Sequence, residues 1–259
     1  MGAYVDIHGH PTWLHDPGGS GETVLLLHGG LSCSDELLAA LEAPLAADYR
    51  VVAFDRRGHG YTSDSHEPFH YAAMAAEVTG VIEHLGGPVH LVGWSDGGIA
   101  ALLASRERPD LVTRQVLIGA NFHHDGIEWG VDLGEDSTIG QATARAYAER
   151  SPDGPEHLPV VTAKFDTMAR SEPTLTVEDL HGVTTPTLVL AGDDDMVRLD
   201  HTAALYQALP AAQLAVVPGA SHAVPVEKPA LVAGLIRDFL GGPVPPLTAL
   251  PVRRARCAH

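Results

Sequence analysis

Cysteine is nearly absent. Only Cys33 and Cys257 occur in 259 residues, near opposite ends and outside any CxxC pair. That count excludes a disulfide framework and a structural zinc site, and it fits a reducing compartment. Long apolar runs are missing too, since none reaches the roughly 18–20 residues of a membrane span. The opening Met1-Gly2-Ala3-Tyr4-Val5-Asp6 lacks the basic and apolar regions of a signal peptide, so the expectation is a soluble cytoplasmic protein. Bases are scarce: 16 Lys and Arg face 33 Asp and Glu, a formal net charge of −17. This balance argues against a nucleic-acid or anionic-membrane partner and leaves a small-molecule substrate; no pattern in the chain fixes an oligomeric state. No repeat of 20–50 residues is visible, which sets solenoids and propellers aside. Neither GxGxxG nor HExxH occurs, so dinucleotide binding and zincin chemistry have no motif to stand on.

What the chain does have is enough apolar material for a large core, with 45% hydrophobic and 19% charged residues. Short apolar runs alternate with helical patterns. Strands are expected at Glu22–His28, Tyr49–Phe54, Val89–Trp94, Arg114–Gly119, Pro186–Ala191 and Gln213–Val217. Helices are expected at Asp35–Ala47 (with Ser34 or Asp35 as N-cap), Tyr71–Leu85, Ile99–Arg106, Leu199–Leu209 and Pro225–Leu240. Parallel strands need crossover helices, so this alternation predicts an α/β fold: a mostly parallel central sheet with helices on both faces. From about Asn121 to Glu178 the pattern breaks, with one good helical segment near Thr138–Arg150. The stretch is too long for an ordinary loop and reads as an inserted cap. The expected organisation is therefore a core of residues 1–120 and 180–242, a cap of residues 121–179, and a proline-rich surface tail of residues 243–259.

Gly93-Trp94-Ser95-Asp96-Gly97 is a G-x-S-x-G placed between a strand and a helix of small residues, the context of a nucleophile elbow. A sharp strand-to-helix turn strains the serine backbone, and glycines at the flanks let neighbouring backbone pack against it. Serine needs a base, and the base an orienting carboxylate. Candidates stand at the ends of later strands: Asp193, Asp194 and Asp195 after Pro186–Ala191, and His222 after Gln213–Val217. The chain order Ser, Asp, His is that of elbow-type hydrolases.

On these residues the sequence resembles an α/β-hydrolase fold enzyme from Tyr4 to Leu240. The resemblance rests on His28-Gly29-Gly30, Asp55-Arg56-Arg57-Gly58-His59-Gly60, the elbow, Gly192-x-x-Asp195 and Gly219-x-Ser-His222. Gly93-Trp94-Ser95-Asp96-Gly97-Gly98-Ile99 is similar to the biphenyl hydrolase-like (valacyclovir hydrolase-like) group. The resemblance implies Asp195 as the acid, with Asp194 the alternative because the family often has one more residue before the following Val; Asp193 is weaker. It also implies an oxyanion hole built from the backbone N–H groups of Gly30 and Asp96, without cofactor or metal. Ser95 counts against haloalkane dehalogenase and epoxide hydrolase chemistry, where the family would supply an Asp nucleophile.

The expected activity is cleavage of a small carboxylic ester, lactone or amino-acid ester through an acyl-enzyme. The rivals are carbon–carbon hydrolysis of a diketone on the same fold, and a catalytically silent ligand-binding protein. Trp94 and the Asp96 side chain flank the nucleophile and are candidate substrate contacts. An Asp96 anion about 6 Å from the developing oxyanion would oppose it by roughly 3 kcal/mol at an effective dielectric near 20. An arginine, protonation of the carboxyl group, or a cationic substrate would offset that.

Other residues have plainer expectations. His28 and His59 should bond backbone in their loops, and Cys33 should be a small buried residue. The sixteen histidines include His8-x-His10 and His123-His124, without a second ligand cluster at metal spacing. The acidic run Asp125, Glu128, Asp132, Glu135 and Asp136 should be a solvated face, and Arg253-Arg254-Ala255-Arg256 part of the tail.

Overall fold

Eight strands form one sheet: β1 (Gly2–Ile7), β2 (His10–His15), β3 (Thr23–Leu27), β4 (Arg50–Phe54), β5 (Val89–Trp94), β6 (Val112–Ile118), β7 (Thr187–Asp194) and β8 (Ala212–Ser221). The computed structural model describes residues 2–130 and 136–252. Strand order is β1-β2-β4-β3-β5-β6-β7-β8, parallel from β4 to β8 and antiparallel where β1 meets β2 and β2 meets β4. The connecting helices are α1 (Ser34–Leu45), α2 (Tyr71–Leu85) and α3 (Asp96–Glu107). Then come α4 (Thr138–Arg150), α5 (Leu158–Ala169) and α6 (Val177–Leu180), followed by α7 (Leu199–Ala208), α8 (Val224–Glu227) and α9 (Pro229–Gly241).

The apolar strand runs are explained by two cores. Leu25 and Leu27 of β3 face a layer with Tyr71, Val78 and Ile82 of α2 and Ile99 and Leu102 of α3. Val24 and Leu26 face the opposite layer, with Leu37, Leu41 and Leu45 of α1 and Ile236 and Phe239 of α9. A strand buried on both faces cannot alternate in polarity, which is why Thr23–Leu27 reads as a continuous run. Each such Leu contributes roughly 1.5–3 kcal/mol through burial.

Several sequence expectations change. The single helix expected at Pro225–Leu240 breaks at Lys228 into α8 and α9, because Pro229 starts a new helix there. The N-cap of α1 is Cys33, with Ser34 already helical and no capping side chain of its own. The orphan Ser34 N–H instead donates to Asp55 Oδ1 at 2.7 Å, so a carboxylate from the loop after β4 occupies the positive helix end. The β1–β2 hairpin was not anticipated; it turns at His8 and Gly9, both at positive φ (54° and 82°), as a two-residue hairpin turn requires. His10 Nε2 donates to Ser63 O at 2.9 Å, so this ring packs the hairpin onto the loop after β4.

Between β6 and β7 the chain makes α4, as expected, and also α5 and α6, which were not. Polar ties fasten this excursion to the rest of the protein. Lys164 Nζ and His157 Nε2 both donate to Asp64 Oδ2, at 2.7 and 2.9 Å, on a side chain only 2% exposed. Those partners hold the Asp64 carboxyl below its ordinary range despite its burial. Arg150 Nε donates to Asp35 Oδ2 at 2.8 Å, and Arg106 Nη2 to Asp179 Oδ1 at 2.8 Å. Residues 243–252 are mostly exposed and carry no helix or strand. Cys257, Arg253-Arg254-Ala255-Arg256, Asp132 and Glu135 lie outside the described residues.

Candidate active site

The carboxyl ends of β5, β7 and β8 converge at one edge of the sheet, and each delivers one of the expected residues. Ser95 links β5 to α3 at φ 54°, ψ −121°, a conformation that non-glycine residues rarely adopt. The glycines around it are demanded sterically. A Cβ on Gly97 would lie 2.1 Å from the Leu27 carbonyl oxygen, and one on Gly93 would lie 2.3 Å from the Gly97 oxygen. Strand, turn and helix thus close on one another with no room for a methyl group.

His222 follows β8 and meets Ser95 from the side. Its Nε2 accepts from Ser95 Oγ at 2.9 Å, and its Nδ1 donates to Asp195 Oδ1 at 2.7 Å. The Asp195 carboxylate is fully buried and also accepts the Val197 N–H at 2.9 Å. It is Asp195, not Asp194, that reaches the imidazole. Asp194 is exposed at the end of β7, and Asp193 Oδ1 accepts the Ala220 N–H at 3.1 Å, tying the β8 turn. Gly119 lies against the pair, since a Cβ there would sit 3.0 Å from the His222 ring and 3.2 Å from Asp195 Oδ2.

Of the two expected backbone donors, one follows Ser95 directly and the other sits on the loop whose Gly29 approaches it. Asp96 N–H opens α3, where the first helical N–H groups have no intrahelical acceptor; the earliest bonds run from Gly98 and Ile99 to Ser95 O. Gly30 lies on the loop after β3. A Cβ on Gly30 would sit 2.6 Å from Asp96 Oδ2 and 2.3 Å from the ring of Phe165, which α5 lays over this loop. Among the described residues, Gly30 N–H has no acceptor within the chain.

The two candidate substrate contacts both have partners within the chain. Trp94 is partly buried against the core, and its Nε1 donates to His222 O at 2.8 Å, so the indole braces the histidine loop. Asp96 is 4% exposed and its Oδ1 accepts from Tyr71 Oη at 2.7 Å. Burial raises its carboxyl above the ordinary range, while the Arg56 charge and the Tyr71 hydroxyl pull the other way. Of the three offsets open to this carboxylate, an internal arginine is therefore in place. Arg56, Tyr71 and Phe165 were missed as neighbours of the site. Only Arg56 had a signal, its place in the Asp55–Gly60 motif; the other two approach from elements distant in sequence.

The remaining polar residues behave as structural groups. Burial first, then the nearby Arg56 charge, drives His59 down to about 3, and its Nδ1 donates to Arg57 O at 3.0 Å. Burial, aided by the Asp55 charge, pushes the Cys33 thiol up to about 12, so the thiol is inert at neutral pH. Ligand atoms of His123, His124 and Asp125 come within 4.8 Å of one another, the only trio among the described residues close enough to share a metal ion. None of the three bonds to Ser95, His222 or Asp195. A cavity of about 550 Å³ opens between α5 and residues 68–70, lined by Pro68, Phe69, Pro159, Ala163 and Met168; Ser95 and His222 are not among its walls.

Known proteins share this fold. The family model described as "Alpha/beta hydrolase family" matches residues 24–235. The chain is 29% identical over 240 residues to a non-heme haloperoxidase of Rhodococcus erythropolis, covering 79% of this chain and 86% of that one. It is 30% identical over 111 residues to the serine hydrolase BPHL of Mus musculus, covering 40% of this chain and 38% of that one. Among solved structures, a serine hydrolase involved in carbazole degradation superposes with a TM-score of 0.79 at 22% identity, covering 93% of this chain and 98% of the other.

Proposed function

Because this chain belongs to the alpha/beta hydrolase family, we propose that it is a serine hydrolase cleaving small, neutral carboxylic esters through an acyl-enzyme. One observation carries the reading: the unbroken relay Ser95 Oγ–His222 Nε2 and His222 Nδ1–Asp195 Oδ1, at 2.9 and 2.7 Å. Ser95 Oγ attacks the carbonyl carbon as His222 Nε2 takes its proton. Gly30 and Asp96 N–H groups receive the oxyanion, each donor being worth roughly 3–4 kcal/mol in systems of this kind. His222 then protonates the leaving alkoxide, and the same cycle with water releases the acid. Asp195 holds the imidazole in the Nδ1–H tautomer and stabilises its charged form.

The excursion of residues 121–179 acts as the cap, with Phe165 over the Gly30 loop as its nearest side chain. A neutral substrate is favoured because the Asp96 carboxylate already faces Tyr71 and the Arg56 charge. A silent binding protein would have no use for a complete relay on a strained serine. The test is a fluorophosphonate probe together with an ester panel that includes a phenyl diketone. Labelling that disappears in Ser95→Ala, with ester turnover above diketone turnover, is the expected result. An unlabelled, folded wild type would sink the enzyme reading, and preferred diketone cleavage would replace it with carbon–carbon hydrolysis.

A further inference from the structure

Arg56 lies wholly inside the protein, 1% exposed, and no chemical step above uses it. Its guanidinium grips the loop that leads to Gly30. Nη1 donates to His28 O at 2.5 Å, and Nη2 donates to Gly29 O at 2.9 Å. From the other side, the Arg56 backbone N–H donates to His28 Nε2 at 3.1 Å. A backbone N–H can only donate, so Nε2 is the lone-pair nitrogen of His28. Burial foremost, and then the Arg56 charge, holds this ring neutral, which leaves its proton on Nδ1. That Nδ1–H donates to Gly29 O at 2.7 Å.

The Gly29 carbonyl therefore accepts two hydrogen bonds, filling both lone pairs. A trans peptide is planar, so fixing the Gly29 C=O direction fixes the Gly30 N–H direction opposite to it. The point matters at this place because two consecutive glycines restrain their shared peptide plane poorly. The plane lies beside the reacting serine, as a Cβ on Gly29 would sit 3.5 Å from Ser95 Cβ.

We propose that Arg56 is a positioning residue for the oxyanion hole: through the Gly29 carbonyl it sets the direction of the Gly30 N–H and polarises it as a donor. The inference rests on the hydrolase reading of Gly30. A guanidinium suits the task where an ammonium would not, because its planar fork spans two successive carbonyls. Charge-assisted bonds to the oxygen end of a peptide also strengthen its N–H end.

The decisive variant is Arg56→Lys, which keeps the charge and loses the fork. Its kcat for p-nitrophenyl butyrate should fall about 10–100-fold, short of the loss of a whole donor, while KM changes less than about threefold. Affinity for phenylboronic acid, whose adduct on Ser95 is tetrahedral, should fall by the same factor as kcat/KM. A folded Arg56→Lys with wild-type kcat and boronate affinity overturns the inference, as does equal weakening of substrate and boronate. Should Arg56→Lys not fold, amide NMR of the wild type decides. Adding phenylboronic acid should move the Gly30 N–H downfield while the Arg56 guanidinium protons stay protected from exchange. An unmoved Gly30 amide overturns the inference. A wild type no faster than Ser95→Ala on the ester is a different failure, since it overturns the hydrolase reading and this inference with it.

Discussion

The elbow and the excursion are held by different physics. Around Ser95 the constraints are contacts that no methyl group survives: 2.1 Å from a Gly97 Cβ to Leu27 O, and 2.3 Å from a Gly93 Cβ to Gly97 O. Between β6 and β7 apolar side chains such as Val161 and Met168 join the core, and ion pairs at the end of long side chains are added, Lys164 and His157 on Asp64 and Arg150 on Asp35. Steric closure fixes atoms to fractions of an ångström and tolerates no exchange of residue type. Charged ties fix a whole segment loosely and can be rebuilt with other partners. A chemistry shared across a family suits the first device, and a changeable specificity suits the second.

The sharpest break in the comparison comes at the relay itself. Asp195→Asn should lower kcat about 10⁴-fold with folding nearly intact, because the imidazole loses the anion that sets its tautomer. Asp194→Asn should change kcat less than about threefold, since that carboxylate is exposed and does not reach His222. Steady-state kinetics on one ester with both variants checks this, and the reverse ranking would show that the relay uses the other carboxylate in solution.

Steric closure makes its own forecast. Gly97→Ala should cost about 3 kcal/mol or more, because its methyl meets backbone carbonyls of β3 and its loop that cannot rotate away. Chemical denaturation measures it. A loss under about 1 kcal/mol would mean that the turn yields, and the contrast with the excursion would collapse.

The charged ties should break more softly. In Asp64→Asn, Lys164 and His157 lose a carboxylate that is 2% exposed. The expected cost is about 1–3 kcal/mol. Its functional trace should be a changed preference among acyl chain lengths, with kcat on an acetyl ester within about threefold of wild type. Unchanged chain-length preference would detach the excursion from specificity.

The same contrast explains what was legible in the sequence. Gly93-x-Ser95-x-Gly97 and the apolar run Thr23–Leu27 are local signatures of local constraints, so the elbow, the parallel sheet and the order Ser, Asp, His could be read directly. The β1–β2 hairpin could not, because His8, His10 and Pro11 interrupt the alternation that marks a strand. Helix α5 carries Val161, Phe165 and Met168 at helical spacing, a stripe obscured by the Gly-, Pro- and acid-rich sequence around it. The role of Arg56 was hidden for a different reason. A buried arginine is read from the carbonyls it meets, and those lie 27 and 28 residues away.

The smallest expected effect is at Asp96, where the two kinds of constraint meet. Its carboxylate belongs to the residue whose N–H is proposed to receive developing negative charge, yet it is countered from within by Arg56 and held by Tyr71. Asp96→Asn keeps an oxygen for the Tyr71 hydroxyl. It removes one charge opposing the proposed oxyanion site and leaves the Arg56 charge facing Glu77 and Asp55 without its strongest acidic neighbour. Relief of that opposition should favour the transition state, while a reoriented Arg56 would loosen the Gly30 loop, so the two consequences oppose one another. Neither depends on whether the substrate carries a charge. An α-amino ester and its matched neutral ester should therefore change by the same factor, within about threefold. A direct ammonium–carboxylate bond would be worth roughly 1.5–3 kcal/mol, or about 10–150-fold on the amino ester alone. A selective loss of that size would show that a cation reaches the Asp96 oxygen beside Gly30 and that the substrate is cationic after all.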